Sequence, residues 1–425
     1  MQRRFFIALA LLASSLGNPA QAQSLPWPQL YDPHVLRQLD LTLAPADWDT
    51  IRHDTTNSLK VAATLQLDGG TPVAVTVRRK SSRALPSEAD PRKVGLKVDV
   101  DSGTWQGVKK LSLENGGDSG PVKEGVAWAL QQLAAPAPYH AALAAWVNVR
   151  VNGENLGVYV NVEQRDKQFL RNRGLYDAPT TWVYKQDDIG PVERDVAPTE
   201  DPASPLYDSP AFKALCWVPF GSGSASGTTA TAGGGKKGGG GSTGCTAPKT
   251  DRELWEQLTQ WIDMDAMLRQ GAVDAITDNG DALFTKGKNF FVLDFAASRN
   301  QPRLYYPWDL DGVFRSTTAG IYGVVGRGGK VTQTPYQQVV LNHPLARARY
   351  NALLLELLNG PLALAQLYPW LDAAYAAVLT DLHNDPYHRA SVGDFERLKT
   401  WLAARDGQVR AQVNANSAPL PRPGY

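Results

Sequence analysis

The sequence predicts an α+β fold, with a β-rich N-terminal half, a mixed centre and a helical C-terminal half packed as two lobes of one unit. Three observations carry this. Apolar and polar residues alternate around glycine turns up to Glu163, helical spacing of apolar residues dominates from residue 343 onward, and no internal repeat interrupts the order. Hydrophobic residues are 43% of the 425 and charged residues 20%, which excludes bulk disorder. The balance of 43 Lys+Arg against 42 Asp+Glu argues against a protein that coats nucleic acid.

Residues 1–22 read as a secretory signal peptide, with Arg3 and Arg4 before the apolar run Phe5 to Leu16 and Ala20-Gln21-Ala22 at the cleavage position. The run is well short of the ~20 residues a spanning helix needs, so export without a membrane span is expected, to periplasm, cell envelope or medium. Residues 23–45 read as an extended, proline-rich lead, 46–415 as the folded body and 416–425 as a tail.

LKVAATLQL and PVAVTVRR on either side of Asp68-Gly69-Gly70 predict a β-hairpin, and VGLKVDV at 94–100 another strand. Residues 121–134 carry Val122, Val126, Ala129, Leu130 and Leu133 at helical spacing, with Pro121 at the start. WVNVRV and LGVYVNVE around Asn152-Gly153 form a second hairpin signal. A Gly/Ser/Thr-rich insertion follows at about 190–250, too poor in apolar residues to fold alone. The two cysteines, Cys216 and Cys245, flank its core, and in an oxidising compartment a disulfide between them is expected. Residues 251–270 predict one helix, 289–295 and 303–311 two strands, and the remainder helices.

The six histidines are scattered without HExxH, and the one G-x-S-x-G match, Gly240 to Gly244, falls inside the Gly/Ser/Thr-rich insertion rather than at a strand-to-helix turn, so a histidine zinc site and a standard serine hydrolase are disfavoured. Most of the twelve Trp and fifteen Tyr sit in apolar runs, which favours core packing over polysaccharide binding. The densest acidic set is Asp278, Asp281, Asn289, Asp309 and Asp311. Such oxygen ligands suit Mg²⁺, Mn²⁺ or Ca²⁺. On a strand, Asp309 and Asp311 would face one side and Trp308 and Leu310 the core. The plainer account makes these carboxylates turn formers and caps. A basic set precedes them: Arg78, Arg79, Lys80, Arg83, Arg92, Lys93 and Lys97. A strand lysine plus an Asp/Asn metal set is what phosphoryl transfer requires, because phosphates need positive charge and the acceptor hydroxyl needs a carboxylate to position it. Taken alone, the basic run reads first as a solvated surface, the commoner origin of such runs.

Several segments resemble one family. RRKSSR with RKVGLKVDVD, KKLSLENGGDSGPVKEGVAWAL, VNVRVNGENLGVYVNVEQRDKQFL, VYKQD, NGDALFTKGKNFFVLDF, YYPWDLDGVF and FERLKTWLAARDGQVRAQV occur in the order seen in the CotH proteins, spore-coat-protein-H-like atypical kinases. The resemblance implies a distant protein-kinase-like, two-lobed fold over 46–415, with ATP and Mg²⁺ or Mn²⁺ as cofactors and a protein serine as acceptor. Carried over by position, it implies Asp281 as the catalytic carboxylate, with Asp278 the competing choice. It implies Asn289 and Asp309 as metal ligands with Asp311 as a second carboxylate. It implies Lys97, or else Lys93, at the ATP phosphates with Arg83 assisting, and Glu163 and Lys185 lining the nucleotide cleft. The signatures of conventional kinases, VAIK, HRD and DFG, are absent. The alternative is a non-catalytic envelope or coat module that keeps the fold.

Overall fold

The computed structural model describes residues 27–80, 93–116, 120–135, 141–177, 180–186, 193–196, 211, 250–322, 324–325, 331–332, 341, 343–387 and 389–415. The signal peptide, Arg83, Cys216, Cys245 and most of the Gly-rich insertion lie outside the described residues.

Seven strands form a closed barrel: β1 (Arg37–Thr42), β2 (Val61–Leu67), β3 (Val73–Arg79), β4 (Leu96–Val100), β5 (Lys110–Glu114), β6 (Ala144–Val151) and β7 (Glu154–Glu163). Both predicted hairpins are present, as β2–β3 and β6–β7. Alternation fills the barrel, since Leu39, Leu65, Val75, Val98, Leu113 and Val149 all point inward and are buried. Closure comes from β1, which runs antiparallel to β2 and parallel to β6. The segment read as an extended lead therefore contributes a barrel strand. Its pairing with β6 spans more than a hundred residues, which local alternation does not reveal.

A second sheet has the order β11-β10-β8-β9, with β8 (Thr181–Gln186), β9 (Glu193–Val196), β10 (Phe290–Phe295) and β11 (Leu304–Pro307). A short ribbon joins β12 (Val324–Val325) to β13 (Val331–Thr332). All six residues of β10 are buried, so this strand is covered on both faces. The predicted strand at 303–311 stops at Pro307, on the sheet edge where a missing N–H is tolerated.

Helix α1 (Pro45–His53) leans on the barrel. Helix α2 (Pro121–Ala134) has the predicted bounds and lies on the outer face of β6 and β7. Gly125 permits the approach, because a Cβ there would sit 2.4 Å from the Trp146 ring. The short α3 (Lys167–Asn172) is capped by Asp166. The single helix expected at 251–270 is two, α4 (Asp251–Trp261) and α5 (Met264–Ile276). The break has a cause. The Asp263 N–H donates to the Arg303 carbonyl at 2.9 Å, and the Asp263 carboxylate caps α5 by accepting from Ala266 N–H at 2.9 Å. Helices α6 (Pro344–Asn359), α7 (Leu364–His383) and α8 (Asp394–Ala415) complete the chain. They share one large core with α2, α4, α5, the second sheet and the outer face of β6–β7. Among the described residues no single helix is long and apolar enough to cross a membrane.

Candidate functional site

The site forms where the β10–β11 ladder ends. Asn289 precedes β10, and its carbonyl accepts from Trp308 N–H at 2.9 Å, just past β11. Asp309 and Asp311 follow in a turn rather than on a strand. The next segment returns beside residues 277–281: Gly280 N–H donates to Gly312 O at 3.0 Å and Phe314 N–H to Thr277 O at 2.7 Å. Gly312 consequently lies against Asp281, whose Cβ is 3.7 Å from where a Gly312 Cβ would be. Asp278, Asn289, Asp309 and Phe314 all hold left-handed backbone, with φ of 48°, 57°, 53° and 55°. Non-glycine residues adopt this region rarely and at a cost, and such strain gathers at functional sites.

Two barrel-side elements complete the cluster. Lys80 follows β3, its N–H bonded to Gly95 O at 2.8 Å and its ammonium paired with Glu114. That ammonium also lies 4.9 Å from the centroid of Trp308, the residue before Asp309. Ser112 donates to Glu114 Oε1 at 2.8 Å. Glu124, in the first turn of α2, is buried and receives the Trp128 indole N–H at 3.4 Å. Burial pushes the Glu124 carboxyl up to about 8, with the Lys80 ammonium opposing the rise and the Asp309 and Asp311 carboxylates adding to it. One ammonium is thus set among the carboxyls of Glu114, Glu124, Asp309 and Asp311.

The acceptor side is built differently. Asp281 is ion-paired to Lys286, and Lys288 Nζ stands 3.2 Å from its Oδ2. Burial alone would raise its carboxyl, but the two lysines hold it below the ordinary range. Asp278 accepts Ser316 N–H at 2.7 Å, and burial raises its carboxyl. Asp278 clasps the 312–316 segment, while Asp281 stands beside Gly312 with the lysines.

Of the other predicted residues, Lys93 and Glu163 fall elsewhere. Lys93 is buried with Asp385, Nζ to Oδ2 2.6 Å, and also donates to Val158 O at 3.1 Å. Glu163 takes both arms of Arg173, at 2.9 and 2.7 Å, together with Trp27 Nε1 at 2.8 Å and Leu143 N–H at 3.1 Å. These two residues were expected at the nucleotide cleft, but their charges meet buried partners, and among the described residues none of their side-chain hydrogen bonds or ion pairs is with the Lys80 cluster. Lys97 lies on the outer barrel face in register with Arg78 and Ser112, next to Lys80. The Lys185 backbone pairs with Phe291 on β10, and its side chain lies outside the described residues. Sequence reasoning placed Lys80 in the basic set without selecting it, and passed over Glu114 and Glu124. A lysine closing a hairpin strand and a glutamate in the first turn of the next helix were the available signals.

Among the described residues no three of His, Cys, Asp and Glu gather as a metal-ligand group. Asp309 and Asp311 follow Trp308, whose N–H donates to the Asn289 carbonyl, and oxygen donors of this kind suit a hard divalent cation.

A family model described as CotH kinase protein matches residues 86–214 and 243–409, well over half of the chain. The matched stretches contain Glu124, Asp278, Asp281, Asn289, Asp309 and Asp311, begin just after Lys80, and are separated within the Gly-rich insertion. No curated protein matches the chain.

Proposed function

The chain belongs to the CotH kinase family, and on that premise we propose that it is an exported protein kinase that transfers the terminal phosphoryl group of ATP to a protein serine. The observation that carries this reading is the convergence of Lys80 and Glu124 from the barrel side with Asp309 and Asp311 from the sheet side. This is the lysine–glutamate and metal–carboxylate pairing that two-lobed kinases require. In it the barrel with α2 forms one lobe, and the second sheet with the C-terminal helices forms the other.

Each residue then has a task. Lys80 draws the phosphates into the cleft, and Glu124 sets the position of its ammonium. Asp309, Asp311 and Asn289 would hold Mg²⁺ or Mn²⁺, which when bound neutralises phosphate charge. Asp281 is kept ionised by Lys286 and Lys288, so it accepts a hydrogen bond from the serine hydroxyl. As the serine Oγ–phosphorus bond forms, the bond to the ADP oxygen breaks and the hydroxyl proton passes to Asp281. A signal peptide supports export, and a serine acceptor follows the family resemblance.

One observation favours a second reading. No three acids gather as a metal group among the described residues, as a non-catalytic envelope module would allow. Labelled ATP with Mg²⁺ or Mn²⁺ separates the two, using the mature protein beside Asp309→Ala and a serine-rich acceptor. Transfer by the native chain and none by the variant establishes the kinase. Absence of transfer and of ATP binding with either metal leaves the module.

A further inference from the structure

Behind the Asp281 loop lies a buried polar knot that neither the proposed reaction nor simple packing accounts for. Asp274 on α5, Gln131 on α2 and Asn279 in the loop are 2%, 4% and 1% exposed. Asp274 Oδ1 accepts from Gln131 Nε2 at 3.1 Å and from Asn279 Nδ2 at 3.0 Å. Asn279 N–H also donates to the Asp274 carbonyl at 2.8 Å, and Asn279 Oδ1 accepts the backbone N–H of Asp281 at 3.1 Å. Every polar group this geometry gives Asn279 is thereby spent on Asp274 or Asp281. The second oxygen, Asp274 Oδ2, is buried with no hydrogen-bond partner among the described residues. An apolar side chain would fill an α2–α5 contact at lower cost than a half-satisfied carboxyl.

Resting on the kinase reading above, we propose that Asp274 is a positioning residue for phosphoryl transfer: one of its oxygens ties the helix that carries Glu124 to the loop that carries Asp281. Gln131 lies two helical turns beyond Glu124 on α2. A shift of α2 therefore moves Glu124 and, through Gln131, Asp274 and Asn279, the backbone amide of the acceptor carboxylate. The nucleotide side and the acceptor side of the cleft are assembled together or not at all. The knot touches neither nucleotide nor acceptor, so it acts on turnover rather than on ATP affinity.

Kinetics and hydrogen exchange on the full mature chain test this. Gln131→Leu removes one donor at a distance from the cleft. It should lower kcat about 10-fold and leave the KM for ATP within about 2-fold. Asn279→Ala should lower kcat about 100-fold, and the double variant should be no slower than Asn279→Ala alone, because both act through one connection. Asp274→Asn keeps the accepting oxygen and should retain kcat within about 3-fold, whereas Asp274→Leu should not. Exchange at the Asp281 amide should quicken at least about 10-fold in Gln131→Leu while β6 stays protected. Multiplying losses in the double variant, a raised KM at constant kcat, or unchanged Asp281 exchange would overturn the proposal. Should the native chain transfer no phosphate, the kinase reading fails, and the exchange measurement alone decides whether α2 and the loop are coupled.

Discussion

Lys80 and Lys93 lie thirteen positions apart in the sequence and meet opposite fates. Lys93 and its partner Asp385 are 1% and 0% exposed, and the carboxylate also accepts Val158 and Tyr387 N–H at 2.8 Å each. Burial lowers the Lys93 ammonium to about 8, and Asp385 alone holds it up. That pair is buried on both sides and further tied to Val158 and Tyr387. Lys80 and Glu114 remain 20% and 15% exposed, and among the described residues the carboxyls of Glu124, Asp309 and Asp311 share their surroundings. A saturated pair ties the C-terminal region to the barrel, while an unbalanced, partly open cluster is where a charged ligand finds work.

The sharpest way to break this contrast is to remove each ammonium. Lys80→Met should cut phosphate transfer by at least about 10³-fold with little change in melting temperature. Lys93→Met should strand Asp385 and cost about 3–5 kcal/mol of stability, measured by urea denaturation, with Asp385→Asn added to it restoring part of the loss. Equal stability losses in the two variants would erase the distinction. A smaller effect comes from a third cation, Arg165, whose guanidinium lies 3.1 Å and 3.6 Å from the ring centroids of Phe291 and Trp308. Arg165→Lys should lose about 1–2 kcal/mol of stability and loosen the Trp308–Asp309 turn, read as faster exchange of the Trp308 amide.

A fourth test reads the pH dependence of stability. Burial pushes the Asp274 carboxyl up to about 7, with Asn279 and Gln131 only partly opposing it. The folded chain therefore holds a proton that the unfolded chain sheds near 3.8. The stability this contributes is complete below the unfolded value and is lost as pH rises through about 7. Asp274→Asn should flatten that part of the stability profile, and an unchanged slope between pH 4 and 7 would remove Asp274 from the account.

Much of this was legible in the chain. Helix α2 and the two hairpins follow from periodicity and glycine turns that neighbouring residues decide. Asp278, Asp281, Asn289, Asp309 and Asp311 were visible as one dense acidic stretch, and the structure folds their segments together around Gly312. The lysines were not separable in this way. Arg78, Lys80, Lys93 and Lys97 read alike as a basic run, and which of them faces acid depends on strand register and on what lies across the cleft. Glu163 ends a strong strand signal, yet its partner Arg173 and the indole of Trp27 come from segments with no pattern linking them. The break between α4 and α5 was hidden for the same reason, since Arg303 imposes it from forty residues away.

The sequence by itself determined an α+β chain, the positions of its periodic elements, the acidic stretch and the family to which it belongs, because each of these is written in local spacing or in ordered motifs. The tertiary structure alone decided that β1 closes a barrel, that Lys80 pairs with Glu114 beside Trp308 while Lys93 is buried with Asp385, and that Asp274 joins α2 to the Asp281 loop. Those outcomes depend on contacts between residues distant in the chain, whose charges are sorted into structural and functional ones only when burial has chosen their partners.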